Sequence, residues 1–255
     1  MLARVPGEPV TVIGSYLSPY VRKVLVCLHV KGIEYRIDPI VPFYGDERFS
    51  KLSPLRRIPV LIDAAVTLSD STVICEYLEE RQPAPSFYPR GAAARARARW
   101  LEEFADTRMG DVFIWRLFNQ MAIGPAVWGE QTDPEKLRHT LEVEVPAVLD
   151  YLEPELPAAG FLFGATLGIA DAAIAAFFRN AAFARFTPDA SRWPRTAQFV
   201  ARTLASEPFA RLAPLEDAAI RTPIPEQRRV LGELGAPLTS ESFATAKPRR
   251  GILPI

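Results

Sequence analysis

The first eighty residues alternate short apolar runs with helix-like stretches, and this alternation constrains the fold more than any other feature of the sequence. An apolar run at 10–14 precedes a helical pattern at 19–31, which starts with Pro19 and stops at Gly32. Residues 34–40 then alternate apolar and polar side chains, as a strand does. A strand, a helix and a second strand in this order predict a parallel pair with a right-handed crossover.

The remainder of this half predicts a hairpin and a closing helix. Residues 44–54 are irregular and contain at most a short helix. Residues 59–69 predict two strands about a tight turn at 63–65, and residues 71–81 predict a helix. The predicted order is therefore β-α-β-(α)-β-β-α.

A proline-rich stretch separates this half from a helical second half. Residues 81–91 contain three prolines in eleven positions, which is typical of a linker. Beyond it the spacing of apolar residues predicts one long helix over 92–120 and another that starts at Pro134. Residues 168–186 are apolar nearly all round, so we expect them to form the central, buried helix.

These changes of pattern predict three regions: a first domain at 1–82, an all-helical domain at 90–221 and a C-terminal extension at 222–255. The extension is rich in Pro, Gly and Arg and is only weakly periodic. Such a composition is typical of a flexible or surface-draped tail. The alternative is a strap across a cleft, or a subunit contact.

Composition and charge exclude several classes of protein. Thirty basic residues balance thirty acidic ones, whereas a nucleic-acid-binding protein usually shows a basic excess. No run approaches 18 apolar residues, so we expect no membrane span. Cys27 and Cys75 lie in apolar stretches outside any CxxC pair, and no Cys/His cluster predicts a metal site. We therefore expect a cytoplasmic protein with buried, reduced thiols.

Three short segments carry residues suited to binding chemistry. They are Ser18-Pro19 at a helix start, Ile58-Pro59 before an apolar strand, and Asp70-Ser71 at the mouth of a helix. Each also has a purely structural interpretation, because Ser and Asp cap helices and a proline before a strand can be an ordinary trans turn. A cis Pro59 would instead turn the Ile58 backbone outward toward an extended peptide. A helix N-terminus at Ser71 would suit a carboxylate.

Taken together, the order and spacing of these segments resemble those of the glutathione transferase superfamily. Ser-Pro-Tyr-x-Arg at the first helix is followed by Ile-Pro about forty residues later and by Asp-Ser eleven residues beyond that. The stretch FLFGATLGIADAAIAAFF resembles the buried-helix capping segment of this superfamily. The superfamily usually has Ser or Thr where this chain has Gly168, three residues before Asp171. Because glycine also caps helices, we expect the helix to form with a small loss of stability.

The resemblance, which spans about residues 10–215, implies a fold and a site. The implied fold is an α/β thioredoxin-like N-terminal domain plus an all-α C-terminal domain, usually in a homodimer. The implied co-substrate is glutathione, and no metal, nucleic acid or membrane partner is expected. A small hydrophobic electrophile would lie in an apolar cleft between the domains.

Ser18 lies where the serine-type classes carry their catalytic hydroxyl. The implied glutathione-binding residues are Tyr16, Arg57, Ile58, Pro59, Asp70 and Ser71. Trp115 and Phe118 are candidates for the electrophile site, with core packing as the alternative.

Three functions compete at this stage. The first is transfer of glutathione to small hydrophobic electrophiles, as in detoxification; the second is a non-catalytic binding or interaction protein of the same fold; the third is a glutathione-dependent isomerase or dehalogenase. The chain lacks the cysteine of the disulfide-reducing classes and the Ser-Ser-x-Ser run typical of the isomerase class. Asp70 is also one methylene shorter than the commoner Glu. The joint retention of the three segments favours an enzyme.

Overall fold

The computed structural model describes residues 9–250, and its contacts divide the chain into two compact units. The first unit contains the described residues up to Pro85 together with those from Arg211 onward, and the second contains 86–210. The outer ends of the predicted ranges 1–82 and 222–255 lie outside the described residues. Cys27 and Cys75 are both buried and carry free thiols.

A four-stranded sheet forms the centre of the first unit. Its strands are β1 (Val10–Ile13), β2 (Tyr35–Asp38), β3 (Val60–Ile62) and β4 (Thr67–Ser69). The strands lie in the order β2-β1-β3-β4, with β1 and β2 parallel and the other neighbours antiparallel. Asp63 closes the β3–β4 hairpin, because its carboxylate accepts the N–H groups of Ala65 and Val66. The predicted parallel pair and hairpin are confirmed.

Three helices accompany this sheet. They are α1 (Pro19–Lys31), α2 (Glu47–Leu52) and α3 (Ser71–Arg81), and a short 3-10 turn at Pro42–Tyr44 precedes α2. The α1 helix ends at Gly32, which has a φ of 62° in the left-handed region that favours glycine. Helices α1 and α3 pack against each other, and their apolar residues, such as Leu25 and Leu78, are buried.

The second unit is helical. Helix α4 (Ala92–Phe104) continues without a break as a π-helical segment (Ala105–Trp128). Helix α5 (Pro134–His139) leads through a π turn (Thr140–Glu144) into α6 (Val145–Glu155), and α7 (Ile169–Phe183) and α8 (Pro194–Leu204) follow. The helical run that starts at Ala92 extends past the predicted end at residue 120 to Trp128, although Gly124 and Pro125 lie within its last turns. Helix α7 is buried on nearly every face, as its sequence predicts, and packs against α4, the π-helical segment and α8.

The C-terminal extension follows a defined path on the first unit. Helix α9 (Glu207–Arg221) is followed by α10 (Ile224–Glu233), and residues 236–249, here called the strap, then run beside β2 and α2. Ile37 on β2 donates to the carbonyl of Pro237 at 2.8 Å and accepts from Thr239 at 3.0 Å. The contacts thus group 211–250 with the first unit, whereas the sequence predicts a helical domain up to 221; the buried Arg22–Glu216 ion pair (2.5 Å) between α1 and α9 is one physical reason.

Among residues 9–250, no helix combines the length and the apolar composition that crossing a bilayer requires.

Candidate functional site

The loop between β1 and α1 places Ser18 at the first turn of the helix. Its Oγ accepts the N–H of Val21 at 3.4 Å, and its own N–H donates to the carbonyl of Ser15 at 3.0 Å. Ser18 therefore caps α1, as predicted. The side chain is half-buried, and no described residue accepts a hydrogen bond from its hydroxyl. The hydroxyl hydrogen is thus available to a ligand while the oxygen caps the helix.

Gly14 allows this loop to lie close to the segment before β3. Its φ is 152°, and a Cβ built on it would lie 2.5 Å from Cγ2 of Val21 and 3.2 Å from Cβ of Ile58. Side-chain carbons do not approach that closely, so only glycine fits between α1 and the Ile58 segment. Gly14 brings the Ser18 loop and Ile58 together.

The segment before β3 presents an unpaired stretch of backbone. The Ile58-Pro59 peptide bond is cis, as one of the two sequence interpretations requires. Within residues 9–250, neither the N–H nor the C=O of Ile58 takes part in a hydrogen bond. The preceding residue is fixed: Ser53 Oγ accepts the N–H of Arg57 at 3.0 Å and donates to its C=O at 2.8 Å. The Arg57 side chain is exposed.

The third segment opens α3. Asp70 caps this helix through Oδ1, which accepts the N–H groups of Thr72 at 2.9 Å and Val73 at 3.3 Å. It does so at a φ of 85°, an uncommon value for a residue with a side chain. Ser71, the first residue of α3, is only 3% exposed. The capping interpretation of Asp70 is correct, and its second carboxylate oxygen accepts no hydrogen bond from a described residue.

Sheet register brings the three segments together at one end of the sheet. Ile13 at the end of β1 pairs with Val60 at the start of β3, and Val60 pairs with Ser69 at the end of β4. The Ser18 loop follows Ile13, the Ile58 segment precedes Val60, and the α3 cap follows Ser69. A hydroxyl donor, an open backbone and a helix N-terminus therefore lie side by side.

Tyr16 belongs to the same loop as Ser18 but has a buried side chain. Its side chain is 1% exposed. Burial, and secondarily the neighbouring Tyr35 side chain, raise the pKa of the Tyr16 phenol above its ordinary value. The phenol therefore lies in the interior and stays protonated at neutral pH.

Comparison with known proteins identifies the family. The N-terminal domain of glutathione S-transferases matches residues 12–86, and the C-terminal domain of glutathione S-transferases matches residues 114–207. The uncharacterized GST-like protein YibF of Escherichia coli K12 is 32% identical over 207 residues, which cover 79% of this chain and 97% of that protein. The chain belongs to the glutathione S-transferase family.

The chain is also similar to other members of this family, in sequence and in structure. A probable maleylacetoacetate isomerase of Vibrio cholerae is 28% identical over 206 residues, which cover 79% of this chain and 94% of that protein. The crystal structure of a glutathione S-transferase from Rhodospirillum rubrum F11 superimposes with a TM-score of 0.73 at 27% identity, covering 80% of this chain and 91% of that one. The domain matches end at residue 207, so the strap lies outside them.

Trp115 and Phe118, the two candidates for the electrophile site, have different surroundings within the second unit. Phe118 is 4% exposed and belongs to the core of that unit. Trp115 is half-buried and lines a cavity of about 420 Å³. The other lining residues are polar or charged: Arg116, Gln120, Glu135, Lys136, Arg138, His139, Thr140 and Glu144. The other residues around Trp115 thus carry polar or charged groups, whereas the resemblance implies an apolar cleft for the electrophile.

Sequence reasoning missed Arg56, the buried member of the arginine pair before Ile58. Its guanidinium donates to the carbonyls of Pro42 at 3.2 Å and Gly45 at 2.9 Å, and to Ser50 Oγ at 2.6 Å. Its φ of 52° lies in the left-handed region. Two adjacent arginines carry no signal of which one is buried, so the sequence could not assign this role.

Proposed function

We propose that this protein is a glutathione transferase in which the Ser18 hydroxyl stabilises the glutathione thiolate for attack on small hydrophobic electrophiles. The observation that carries the proposal is the register Ile13–Val60–Ser69, which gathers the three predicted segments at one end of the sheet. Following the family expectation, we also propose a cytoplasmic homodimer that needs no metal.

Recognition of the peptide part uses groups that the fold leaves unpaired. The N–H and C=O of Ile58 would bind the cysteinyl backbone of glutathione in the manner of an added strand. The exposed Arg57 guanidinium suits the glycyl carboxylate. The open oxygen of Asp70 would meet the γ-glutamyl ammonium, and Ser71 at the N-terminus of α3 would bind the γ-glutamyl carboxylate. Tyr16 is left out of this proposal because its side chain is buried.

Ser18 would act by shifting the ionisation of the bound thiol. An ordinary thiol has a pKa near 8.5, so only a small part of it is anionic at neutral pH. A hydrogen bond to a charged group contributes about 1.5–3 kcal/mol, which lowers the thiol pKa by roughly one to two units. The N-terminus of α1 adds a smaller effect of the same sign. Water takes the proton, and the thiolate then forms the carbon–sulfur bond while the leaving group departs with its electron pair.

A second candidate is glutathione-dependent isomerisation. The observation that favours it is the 28% identical relative from Vibrio cholerae, whose name assigns it maleylacetoacetate isomerase activity. The same thiolate would add to a conjugated double bond, allow rotation about the resulting single bond, and then be expelled. Ser18 would have the same role in this reaction.

The decisive experiment separates the two roles of Ser18. In Ser18→Ala, we expect the pKa of bound glutathione, measured by thiolate absorbance, to rise by about one to two units. The rate of conjugation near neutral pH should fall about 10- to 100-fold while calorimetric affinity for glutathione changes little. Ser18→Thr keeps a hydroxyl and should retain much of the rate.

Ser18→Gly is the matched control, because glycine caps a helix nearly as well as serine but has no hydroxyl. If capping were the only role, Ser18→Gly would have the parent rate, and the proposed mechanism would be wrong. A parent protein that binds no glutathione at millimolar concentration would instead support the non-catalytic alternative.

A further inference from the structure

The strap is bound to the segment that leads into α2. Thr245 donates to the carbonyl of Tyr44 at 2.7 Å, and the backbone N–H of Arg249 donates to the carbonyl of Phe43 at 2.9 Å. Asp46, the cap of α2, donates its N–H to the carbonyl of Phe243 at 2.8 Å. The backbone from residue 43 to residue 46 is therefore paired with the strap.

Side chains reinforce this contact. The Arg48 guanidinium donates to the carbonyl of Ser242 at 2.8 Å and lies 4.9 Å from the ring centroid of Phe243. The Arg249 side chain forms an ion pair with Glu47 and donates to Ser50 Oγ at 2.9 Å. The strap and α2 are thus joined by one arginine from each of them, Arg48 on α2 and Arg249 on the strap.

A buried carboxylate anchors the middle of the strap. Asp38, the last residue of β2, is 0% exposed. It accepts hydrogen bonds from Arg228 Nη1 at 2.8 Å, Ser242 Oγ at 2.8 Å and the N–H of Phe243 at 2.7 Å. Since a buried carboxylate needs partners, the Ser242 and Phe243 donors fix the strap on the sheet, and Arg228 joins α10 to the same anchor.

Arg56 connects the strap-bound segment to the candidate glutathione groove. Its guanidinium bonds the carbonyls of Pro42 and Gly45 and shares Ser50 Oγ with Arg249. Its left-handed backbone requires support from its surroundings, and it directly precedes Arg57 and Ile58. Phe243 and Ile58 also pack against the same buried cluster, which contains Ile13 and Val60.

We propose that the strap is a positioning element for glutathione, holding the 43–50 segment and, through Arg56, the Arg57–Ile58 backbone in the conformation that binds the tripeptide. This inference rests on the proposed function. No strap residue touches the tripeptide in this proposal; the strap acts through the Arg56 side chain. The strap should therefore set affinity for glutathione and leave the thiolate chemistry at Ser18 unchanged.

The experiment compares Phe243→Ala and Arg249→Ala with Arg229→Ala. Arg229 lies on α10 beside the strap anchor Arg228, and it pairs only with Glu226 and Glu233 among the described residues, so it is the matched control. We expect the calorimetric Kd and the KM for glutathione to rise about five-fold or more in the first two variants, with kcat and the pKa of the bound thiol unchanged. Phe243→Leu should restore affinity, and Arg229→Ala should match the parent.

Hydrogen exchange in the ligand-free proteins gives a second readout. Amides at 43–46, and the Arg57 amide that donates to Ser53 Oγ, should exchange faster in Phe243→Ala and Arg249→Ala than in the parent or Arg229→Ala. Parent-like Kd and KM in both strap variants would overturn the inference while leaving the proposed function intact. Faster exchange at 43–46 alone, with the Arg57 amide unaffected, would also overturn it. A parent that binds no glutathione would overturn the proposed function and this inference together.

Discussion

At the scale of single residues, backbone conformation decides where the candidate site forms. Gly14, Arg56 and Asp70 all have positive φ values, and each lies in or shortly before one of the three site segments. Only Gly14 is a glycine. Close approach to Val21 and Ile58 requires it, whereas the other two are held by their side-chain hydrogen bonds.

Gly14→Ala should disrupt the site as well as the fold. The added Cβ would lie too close to Val21 and Ile58, and its φ of 152° is unfavourable for alanine. We expect a loss of about 1–3 kcal/mol in the free energy of unfolding by urea and weaker glutathione binding by calorimetry.

Gly32→Ala is the control for that prediction. Gly32 also has a positive φ, but nothing lies within 4 Å of the position of its Cβ. It should lose only about 1 kcal/mol and keep the parent affinity for glutathione. Equal glutathione affinity in the two variants would show that close packing at Gly14 is not what shapes the site.

At the scale of elements, a buried ion pair joins the ends of α1 and α3. Lys31 Nζ donates to Glu79 Oε2 at 2.7 Å, and also to the carbonyls of Gln82 at 2.7 Å and Pro85 at 3.0 Å. The Lys31 and Glu79 side chains are 0% and 7% exposed. The amine thus ties both helices to the segment that follows α3.

Removing the Glu79 carboxylate should therefore lower the free energy of unfolding substantially. Glu79→Ala leaves the Lys31 charge buried with only neutral partners, and we expect a loss of about 3–5 kcal/mol in the free energy of unfolding. Glu80→Ala, one position along and exposed, should stay within about 0.5 kcal/mol of the parent. Urea unfolding of both variants checks this, and a small effect of Glu79→Ala would mean that the pair contributes little to stability.

At the scale of the whole molecule, stability should respond to pH through Asp171. This side chain accepts the N–H groups of Leu162 at 2.9 Å and Gly168 at 3.0 Å, so it joins the first turn of α7 to the segment that precedes the helix. Burial outweighs these hydrogen bonds and raises the pKa of Asp171 to about 6 from an ordinary value of 3.8. Between pH 3.8 and about 6, Asp171 is therefore mostly protonated in the folded state and mostly ionised in the unfolded state.

Asp171→Asn tests this linkage. Because the folded pKa is the higher one, the contribution of Asp171 to stability rises as pH falls from above 6 toward 4, by about 3 kcal/mol at most. The asparagine variant cannot gain this, so its deficit relative to the parent should be larger at pH 4.5 than at pH 7.5 in urea unfolding. A deficit that does not change with pH would contradict the assigned shift.

Local sequence signals predicted much of the fold and, for the site, the local backbone features of its three segments. Ser18 before Pro19, the turn at Asp63 and the apolar α7 each act through neighbours a few residues away, so their pattern is readable in the sequence. The sequence allowed a strap only as the alternative to a flexible or surface-draped tail. It could not predict the path of the strap, because the anchor joins Asp38 to donors about two hundred residues further along the chain. Nothing in the sequence distinguishes Asp38 from an exposed polar residue at the end of a strand. Likewise, nothing distinguishes Arg56, with its left-handed backbone, from its neighbour Arg57.

The hydrogen bonds between the strap and β2 have a further consequence, for solubility. An outer strand with unpaired N–H and C=O groups invites another chain to extend the sheet, and natural proteins protect such strands. Ile37, in the middle of β2, has both groups occupied by Pro237 and Thr239. The opposite border, β4, is only three residues long and begins at an exposed threonine. Within the described residues, neither edge strand of this sheet therefore offers a long unpaired backbone for intermolecular aggregation. Loss of the strap would expose the backbone N–H and C=O groups of Ile37 on β2.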